Sequence, residues 1–230
     1  AIWYAIFSIP LFLFTPDKTA SDISFVNAIK KGLRELRATF SQVRQHSNMV
    51  KFLIARMIYT DGLNTLYAFG GIYAAGSFGM ELNEIIIFGI GINVTAGLGA
   101  AAFGWIDDWI GPKKTVMIAL AGLTVLGTAL LIVETKTGFW AFGLPLGFFV
   151  GPAQAASRSM MARLAPPELT TEMFGLYAFS GKATAFLGPA LLGVATLTFD
   201  SQRAGMATIL VFFALGMVLL KDVGEPTGKS

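Results

Sequence analysis

Long apolar runs separated by short polar turns make up most of the chain after residue 50. The turns contain the Gly, Pro and charged residues that interrupt regular structure. A helix needs about 20 predominantly apolar residues to cross a bilayer. The pattern therefore predicts six membrane-spanning helices at residues 51–78, 85–106, 115–133, 139–157, 173–199 and 204–220.

The first fourteen residues are apolar but too short to cross a bilayer. They begin without Met and lack the positive start and small-residue cleavage site of a signal peptide. We expect residues 1–14 to be the end of a helix that starts upstream. In this interpretation the chain is a fragment, or one half, of something larger.

Residues 15–50 form the one long polar stretch. Its apolar side chains recur at helical spacing, with the Lys and Arg mostly off that stripe. The stripe consists of Ile29, Leu33, Leu36, Phe40 and Val43. We predict an amphipathic linker helix on the cytoplasmic membrane surface, with Ser21 or Asp22 as its N-cap. A regulatory or partner-docking role is the alternative.

Composition and charge support the membrane interpretation. Hydrophobic residues are 54% of the 230 and charged residues only 13%, against about 25% charged in an ordinary soluble domain. Thirteen of the 17 Lys and Arg fall on the side of the linker, and only Lys136 and Arg203 fall on the other. This asymmetry places the linker and the tail at residues 221–230 in the cytoplasm, most simply at a bacterial inner membrane. The basic residues indicate contact with membrane lipid and not with nucleic acid.

Three charged residues fall inside predicted spans, where a charge costs about 2.5 to 3.5 kcal/mol on insertion scales. Asp61 and Lys182 lie near the middle of their spans, so we predict an ion pair between them, with Asn64 one turn from Asp61 on the same face. The pair either fixes helix register permanently or is broken by substrate or by a proton on Asp61. Arg56 lies nearer the cytoplasm, where it can extend to the headgroups, bind a carboxylate substrate or pair with Glu172.

Other features of the spans indicate helix packing. The second and fourth spans are rich in Gly, which lets membrane helices approach closely. Pro145, Pro152 and Pro189 should kink or loosen their helices. Gln154 and Asn93 can hydrogen-bond across helices or to a substrate, and Tyr59 near a span end is a candidate interface anchor.

The sequence contains no recognisable enzyme, metal or cofactor site. One His and no Cys exclude most His-based triads and thiolate metal sites. The Gly-rich segment 97–104 lies inside an apolar run, so we interpret it as a packing surface and not as a phosphate loop.

The charged turn between the second and third spans carries a family resemblance. Its spacing of Gly104, Asp108, Gly111, Lys113 and Lys114 resembles the loop motif G-x-x-x-D-[RK]-x-G-[RK]-[RK] of the major facilitator superfamily (MFS). The chain has Trp109 and Pro112 at two positions that are basic in the family. The resemblance implies that this turn is a conformational latch, with Asp108 accepting hydrogen bonds from a neighbouring helix N-terminus. Asp107 is then expected to be a solvated surface residue.

Four further segments are similar to the MFS branch that includes the autophagy-related vacuole effluxers and their bacterial relatives. They are Tyr59-Thr-Asp61-Gly62-Leu-Asn64, Asn93-Val-Thr-Ala-Gly97, Gly151-Pro-Ala-Gln154-Ala-Ala-Ser157-Arg158 and Ser180-Gly181-Lys182 followed by Gly188-Pro189. The resemblance implies an all-α integral membrane protein in which residues 1–14 end helix 6 and residues 51–220 form helices 7 to 12. It also implies that Asp61, Asn64, Tyr67 and Gln154 line a central cavity and that Asn93 is a helix contact.

These expectations combine into a functional hypothesis. The chain is predicted to be the C-terminal half of a secondary transporter that exports a small polar, amino-acid-like solute by alternating access, with proton coupling through Asp61. Its expected partners are membrane lipid, a small-molecule substrate and either the missing N-terminal six-helix half or a second copy of the chain. The alternative is a non-transporting membrane scaffold or assembly factor that kept the fold.

Overall fold

A computed structural model describes residues 2–14 and 46–225. Every regular element in these two ranges is helical. The first range contains α1, Ile2–Phe14. The second contains α2 (Ser47–Phe78), α3 (Leu82–Ile110), α4 (Pro112–Ile132), α5 (Lys136–Leu164), a 3₁₀ turn (Pro167–Leu169), α6 (Thr170–Ala183), α7 (Leu187–Phe199) and α8 (Gln202–Lys221). The predicted linker helix, with Ser21 and Asp22, and the tail beyond residue 225 lie outside the described residues.

The helices confirm the all-α membrane class. Four helical segments are both long and apolar enough to cross a bilayer: Leu82–Ile110, Pro112–Ile132, Pro167–Phe199 and Gln202–Lys221. The helices of the first and fourth predicted spans, α2 with 32 residues and α5 with 29, are long enough but less apolar. They carry the polar side chains of the site described below. The lower hydropathy of α2 and α5 is therefore explained by the polar side chains that they contribute to the site.

Local signals set the helix ends. Helix α2 begins at Ser47, within the stretch predicted as linker, and ends at Phe78, because the next residue, Gly79, has a positive φ of 61° that terminates the helix. Glu81 and Glu84 form a capping box at the start of α3. The side chains of Thr135 and Ser201 cap α5 and α8 by accepting the N–H groups of Gly138 and Ala204.

Glycine allows α3 and α5 to pack with their backbones in contact. A Cβ on Gly99 would overlap the carbonyl oxygen of Phe148, and one on Gly151 would overlap the carbonyl oxygen of Ala96. The predicted packing role is therefore correct at these positions. It does not apply at Gly97, where a Cβ would meet nothing within 4 Å. Helix α5 also packs on α4, and α8 packs on α2, α4 and α7.

The fifth predicted span is two helices and not one. Helix α6 ends at Ala183 and α7 begins at Leu187, with a three-residue turn between them. Pro189 explains the position of the break, because it has no N–H to donate to the carbonyl of Ala185 and its ring would collide with that carbonyl. Pro145 and Pro152, by contrast, lie inside an uninterrupted α5.

Candidate functional site

A polar cavity of about 260 Å³ lies between α2, α5 and α6. It differs from the rest of the bundle because most of its lining side chains carry hydrogen-bonding groups. Four of the predicted site residues lie on its wall: Arg56, Asn64, Gln154 and Lys182. The remaining lining residues are Tyr59, Thr60, Leu63, Ala153, Ser157, Arg158, Tyr177, Ala178 and Gly181. This cavity is the candidate functional site.

Arg56 is held across the cavity wall by α6. Its Nη1 donates to the backbone carbonyl of Tyr177 and to Ser180 Oγ, both at 2.7 Å, and its guanidinium carbon lies 3.5 Å from the centre of the Tyr177 ring. Gly181 makes room for it, since a Cβ there would come within 2.9 Å of Nη1. The side chain therefore does not extend to the headgroups, and within the described residues it does not pair with Glu172. It is a cation held in place in the cavity wall.

Two further contacts join the cavity walls. The Tyr59 hydroxyl lies 2.7 Å from Ser157 Oγ, which itself donates to the carbonyl of Ala153. The Tyr59 hydroxyl is consequently the donor between α2 and α5, and Tyr59, 1% exposed, is not an interface anchor. Asn64 Nδ2 donates to the carbonyl of Gly181 at 3.2 Å. The Asn64 carbonyl oxygen and the Gln154 amide remain available to a ligand.

Asp61 lies behind the cavity wall and not on it. It is 2% exposed, and its Oδ2 accepts the backbone N–H of Gly188 at 2.9 Å. Gly188 is the second residue of α7, so the carboxylate lies at the partially positive N-terminus of a half-helix inside the bilayer. The other oxygen, Oδ1, is buried and has no hydrogen-bond partner among the described residues.

The predicted ion pair between Asp61 and Lys182 is wrong. Asp61 is buried against α7, whereas Lys182 is exposed near the end of α6 and lines the cavity. Membrane depth places the two residues at similar levels but does not fix the direction in which each side chain points. Lys182 therefore shares the cavity with Arg56 and not with Asp61.

A second cavity, of about 230 Å³, contains the other two predicted site residues, Tyr67 and Asn93. Its walls are mostly apolar, with Leu, Ile and Phe side chains from α2, α3, α4, α5 and α8. Asn93 Nδ2 donates to the carbonyl of Gly89 on its own helix at 2.8 Å, so it is not the predicted contact between helices. Tyr67 lines this apolar cavity and not the polar one.

At the charged turn Asp107 is the nearly buried acidic residue and Asp108 is the exposed one. The side chain of Asp107 is 12% exposed and that of Asp108 is 75% exposed. Arg163 at the end of α5 approaches both, with its Nη2 at 3.8 Å from Asp107 Oδ2 and 3.7 Å from Asp108 Oδ1. The prediction that Asp107 is a solvated surface residue is therefore wrong.

The rest of the predicted latch forms the turn itself and contacts α8. Gly111 has a φ of 86°, which only Gly adopts readily, and a Cβ on Gly104 would meet nothing within 4 Å. Lys113 Nζ donates to the carbonyls of Lys221 and Val223 at 2.8 and 2.6 Å. Lys114 Nζ lies 3.5 Å from Glu225. These contacts fix the end of α8 to the start of α4.

The sequence profile of the family described as "Vacuole effluxer Atg22 like" matches residues 1–230. The chain belongs to this family. Among its curated relatives, the uncharacterized MFS-type transporter YxiO of Bacillus subtilis is 24% identical over 99% of this chain and 53% of its own length. Autophagy-related protein 22 of Cryptococcus neoformans is 25% identical over 99% of this chain and 45% of its own length. That of Candida glabrata is 21% identical over 99% of this chain and 48% of its own length.

Membership of the Atg22-like family confirms the resemblance in the sequence. The chain spans about half the length of the curated relatives it matches. Tyr59, Ser157, Arg158 and Tyr177 are cavity residues that the sequence did not single out as a set. The signal was present, because Tyr59, Ser157 and Arg158 all fall within the segments that carry the family resemblance.

Proposed function

We propose that this Atg22-like chain is the C-terminal half of a secondary transporter that moves a small polar solute across the membrane by alternating access. The observation that carries the proposal is the polar cavity between α2, α5 and α6. A bundle built only for structure has no need for Arg56, Asn64, Gln154 and Lys182 on one internal wall, because each polar group at membrane depth costs free energy. Membrane transporters commonly place their substrate sites there.

The relatives support a transporter made of two halves. The matched proteins are about twice as long as the aligned region, so a second bundle is available to close the open side of the cavity. We propose the missing N-terminal half as that partner; a second copy of this chain would be the alternative. The family description, which names a vacuole effluxer, supports outward movement of the solute. That the solute is amino-acid-like is our proposal. The charge asymmetry and the Bacillus relative support a bacterial inner membrane with the C-terminus in the cytoplasm.

Asp61 is our candidate for proton coupling. It is a buried carboxylate with one oxygen bonded to the N-terminus of α7 and the other without a partner in the part of the chain that the structure describes. A proton on Oδ1 would remove the charge that interacts with the helix end, and so would weaken the attachment of α7 to α2. The break between α6 and α7 lets such a change move one half-helix relative to the other.

The experiment is transport by the intact protein in proteoliposomes, using a labelled amino-acid mixture with and without a pH gradient. Asp61→Asn is compared with Asp222→Asn, a matched neutralisation at an exposed position after α8. We expect the wild-type protein and the Asp222→Asn variant to show gradient-driven flux, and the Asp61→Asn variant to show none. Flux that survives in Asp61→Asn with the same pH dependence would refute the coupling role. Absence of flux for every amino acid in the mixture would favour another solute class or the scaffold alternative.

A further inference from the structure

We propose that the polar cavity selects solutes with net negative charge, and that Arg56, Arg158 and Lys182 bind their oxyanion group. This inference rests on the proposed transport function but changes its solute class: among amino acids it retains only the acidic ones, and it adds other small anions. The three cations come from three different helices, α2, α5 and α6, and all three lie on one cavity wall. No Asp or Glu lies among the thirteen lining residues.

In the described part of the chain the three cations also lack neutralising carboxylate partners. Within residues 2–14 and 46–225, none of them lies within 4.0 Å of a carboxylate oxygen, although Lys114, Lys136, Arg163 and Arg203 do. The buried carboxylate of Asp61, which lies behind the cavity wall, is bonded to the N-terminus of α7. A cluster of like charges beside low-dielectric walls creates a strong positive potential. A bound anion would relieve the repulsion among them.

Arg56 is prepared for this role. Two hydrogen bonds through Nη1 and the stacking on Tyr177 fix the plane of its guanidinium. In the described part of the chain its Nη2 makes no hydrogen bond, so these donors are available to the cavity. A fixed guanidinium loses little entropy when it binds a carboxylate or phosphate. Arg158 and Lys182 are exposed, and their long side chains can reach the same group from the other two helices.

A zwitterion is a poorer match than an anion. Its ammonium group would have to lie beside three cations. Apart from hydroxyl groups, the only side-chain acceptors on the cavity wall are the amide oxygens of Asn64 and Gln154. An anion such as succinate leaves no positive charge in the cavity. The structure thus favours amine-free carboxylates, organophosphates and acidic amino acids over neutral or zwitterionic solutes.

A single-cysteine experiment measures the charge selectivity of the cavity without knowledge of the substrate. This chain has no Cys, so Ala178→Cys introduces one thiol on the cavity wall once any native cysteine elsewhere in the intact protein is replaced by serine. The matched control is Thr171→Cys, two turns earlier on the same face of α6 and outside the cavity lining. Each is reacted with a negatively and a positively charged methanethiosulfonate. At each position the rate with the anionic reagent is divided by the rate with the cationic reagent. This ratio removes the effect of any difference in ionisation between the two thiols.

We expect the anion-to-cation rate ratio at Ala178→Cys to exceed that at Thr171→Cys by roughly tenfold at low salt, and the excess to shrink as salt is added. Neutralising Arg158→Gln and Lys182→Gln together should bring the two ratios within about twofold of each other. Equal ratios in the unmodified background would overturn the proposal. So would a faster reaction with the cationic reagent, since the rest of the protein would then supply compensating acids.

Protection of the same thiol identifies the bound group. Succinate and glycerol 3-phosphate should slow modification of Ala178→Cys in neutral phosphatidylcholine vesicles, whereas alanine and butyramide should not. Protection by alanine alone, or no protection by either anion, would overturn the proposal. Protection that instead requires added phosphatidylglycerol would also overturn it, because the occupant would be a lipid headgroup. Alanine flux in the same vesicles would leave the transporter assignment intact while removing the anion selectivity.

Discussion

Replacing Gly188 with Ala should detach the N-terminus of α7 from α2. A Cβ on Gly188 would overlap Thr65 Oγ1 and lie 3.2 Å from the carbonyl oxygen of Asp61. Neither group can withdraw easily, because Thr65 is fully buried and donates to that same carbonyl at 2.8 Å. The backbone of α7 must therefore shift, and the 2.9 Å bond from the Gly188 N–H to Asp61 would lengthen.

The expected loss can be estimated from these contacts. Overpacking a close contact costs about 1 to 3 kcal/mol, and weakening a hydrogen bond to a charged group adds about 1 kcal/mol. The gain in helix propensity from Ala returns up to about 1 kcal/mol. The net loss is about 1 to 4 kcal/mol, or roughly 2 to 16 °C in Tm for a chain of this size. Gly193→Ala on the same helix is the control, since its Cβ would meet nothing within 4 Å.

The assay is thermal unfolding of the intact protein in detergent, followed by tryptophan fluorescence. Gly188→Ala should unfold at a clearly lower temperature than Gly193→Ala, and Thr65→Ala should recover part of the loss because it removes the overlapping oxygen. Such recovery is a coupling between the two positions that additive effects cannot produce. If Gly188→Ala and Gly193→Ala unfold at the same temperature, the close approach of α7 to α2 does not stabilise the protein and the reasoning fails.

The other predictions concern the polar contacts between helices. Tyr59→Phe should lower Tm by about 2 to 4 °C, since it removes one buried hydrogen bond worth about 1 kcal/mol. When Ser157 is already replaced by Ala, Tyr59→Phe should lower Tm by less. Equal Tm losses with and without Ser157→Ala would contradict the bond between Tyr59 and Ser157. Arg163→Gln should cost about 1 kcal/mol because it leaves the nearly buried Asp107 without its cation. Unfolding curves should show that Arg163→Gln costs no stability when Asp107 is already Asn, and still costs stability when Asp108 is Asn. The reverse pattern would identify Asp108 as the partner of Arg163.

The sequence predicted most of the helices because hydropathy and turn residues report directly on membrane crossing. The ends of α3, α4 and α8 lie close to the predicted limits for that reason. The break between α6 and α7 was foreseen only as a kink at Pro189. A Pro inside a predicted span does not show whether the helix breaks or continues, since Pro145 and Pro152 lie inside an uninterrupted α5.

The site was less predictable, since depth along a helix does not fix the direction of a side chain. Asp61 and Lys182 lie at similar depths yet face different surroundings, so the inferred ion pair failed. The position of Arg56 depends on a contact with Tyr177, which is 121 residues away in the sequence. Likewise, the choice between Asp107 and Asp108 as the buried acid depends on the position of Arg163 at the end of another helix.

The broken crossing has a consequence for how the protein is made. Helices α6 and α7 have 14 and 13 residues, or roughly 20 Å each, against about 30 Å of hydrocarbon. Neither piece can hold itself across a bilayer, and the backbone groups of the turn between them need protein neighbours. Neighbours on α2, up to 127 residues earlier in the sequence, hold both pieces: Arg56 bonds the Tyr177 carbonyl in α6 and Asp61 bonds the Gly188 N–H in α7. In the turn itself, the Thr184 hydroxyl donates to the carbonyl of Met57 on α2. Biogenesis of this crossing thus requires α2 to be retained in the membrane, as a docking surface for the two half-helices, until they emerge from the ribosome.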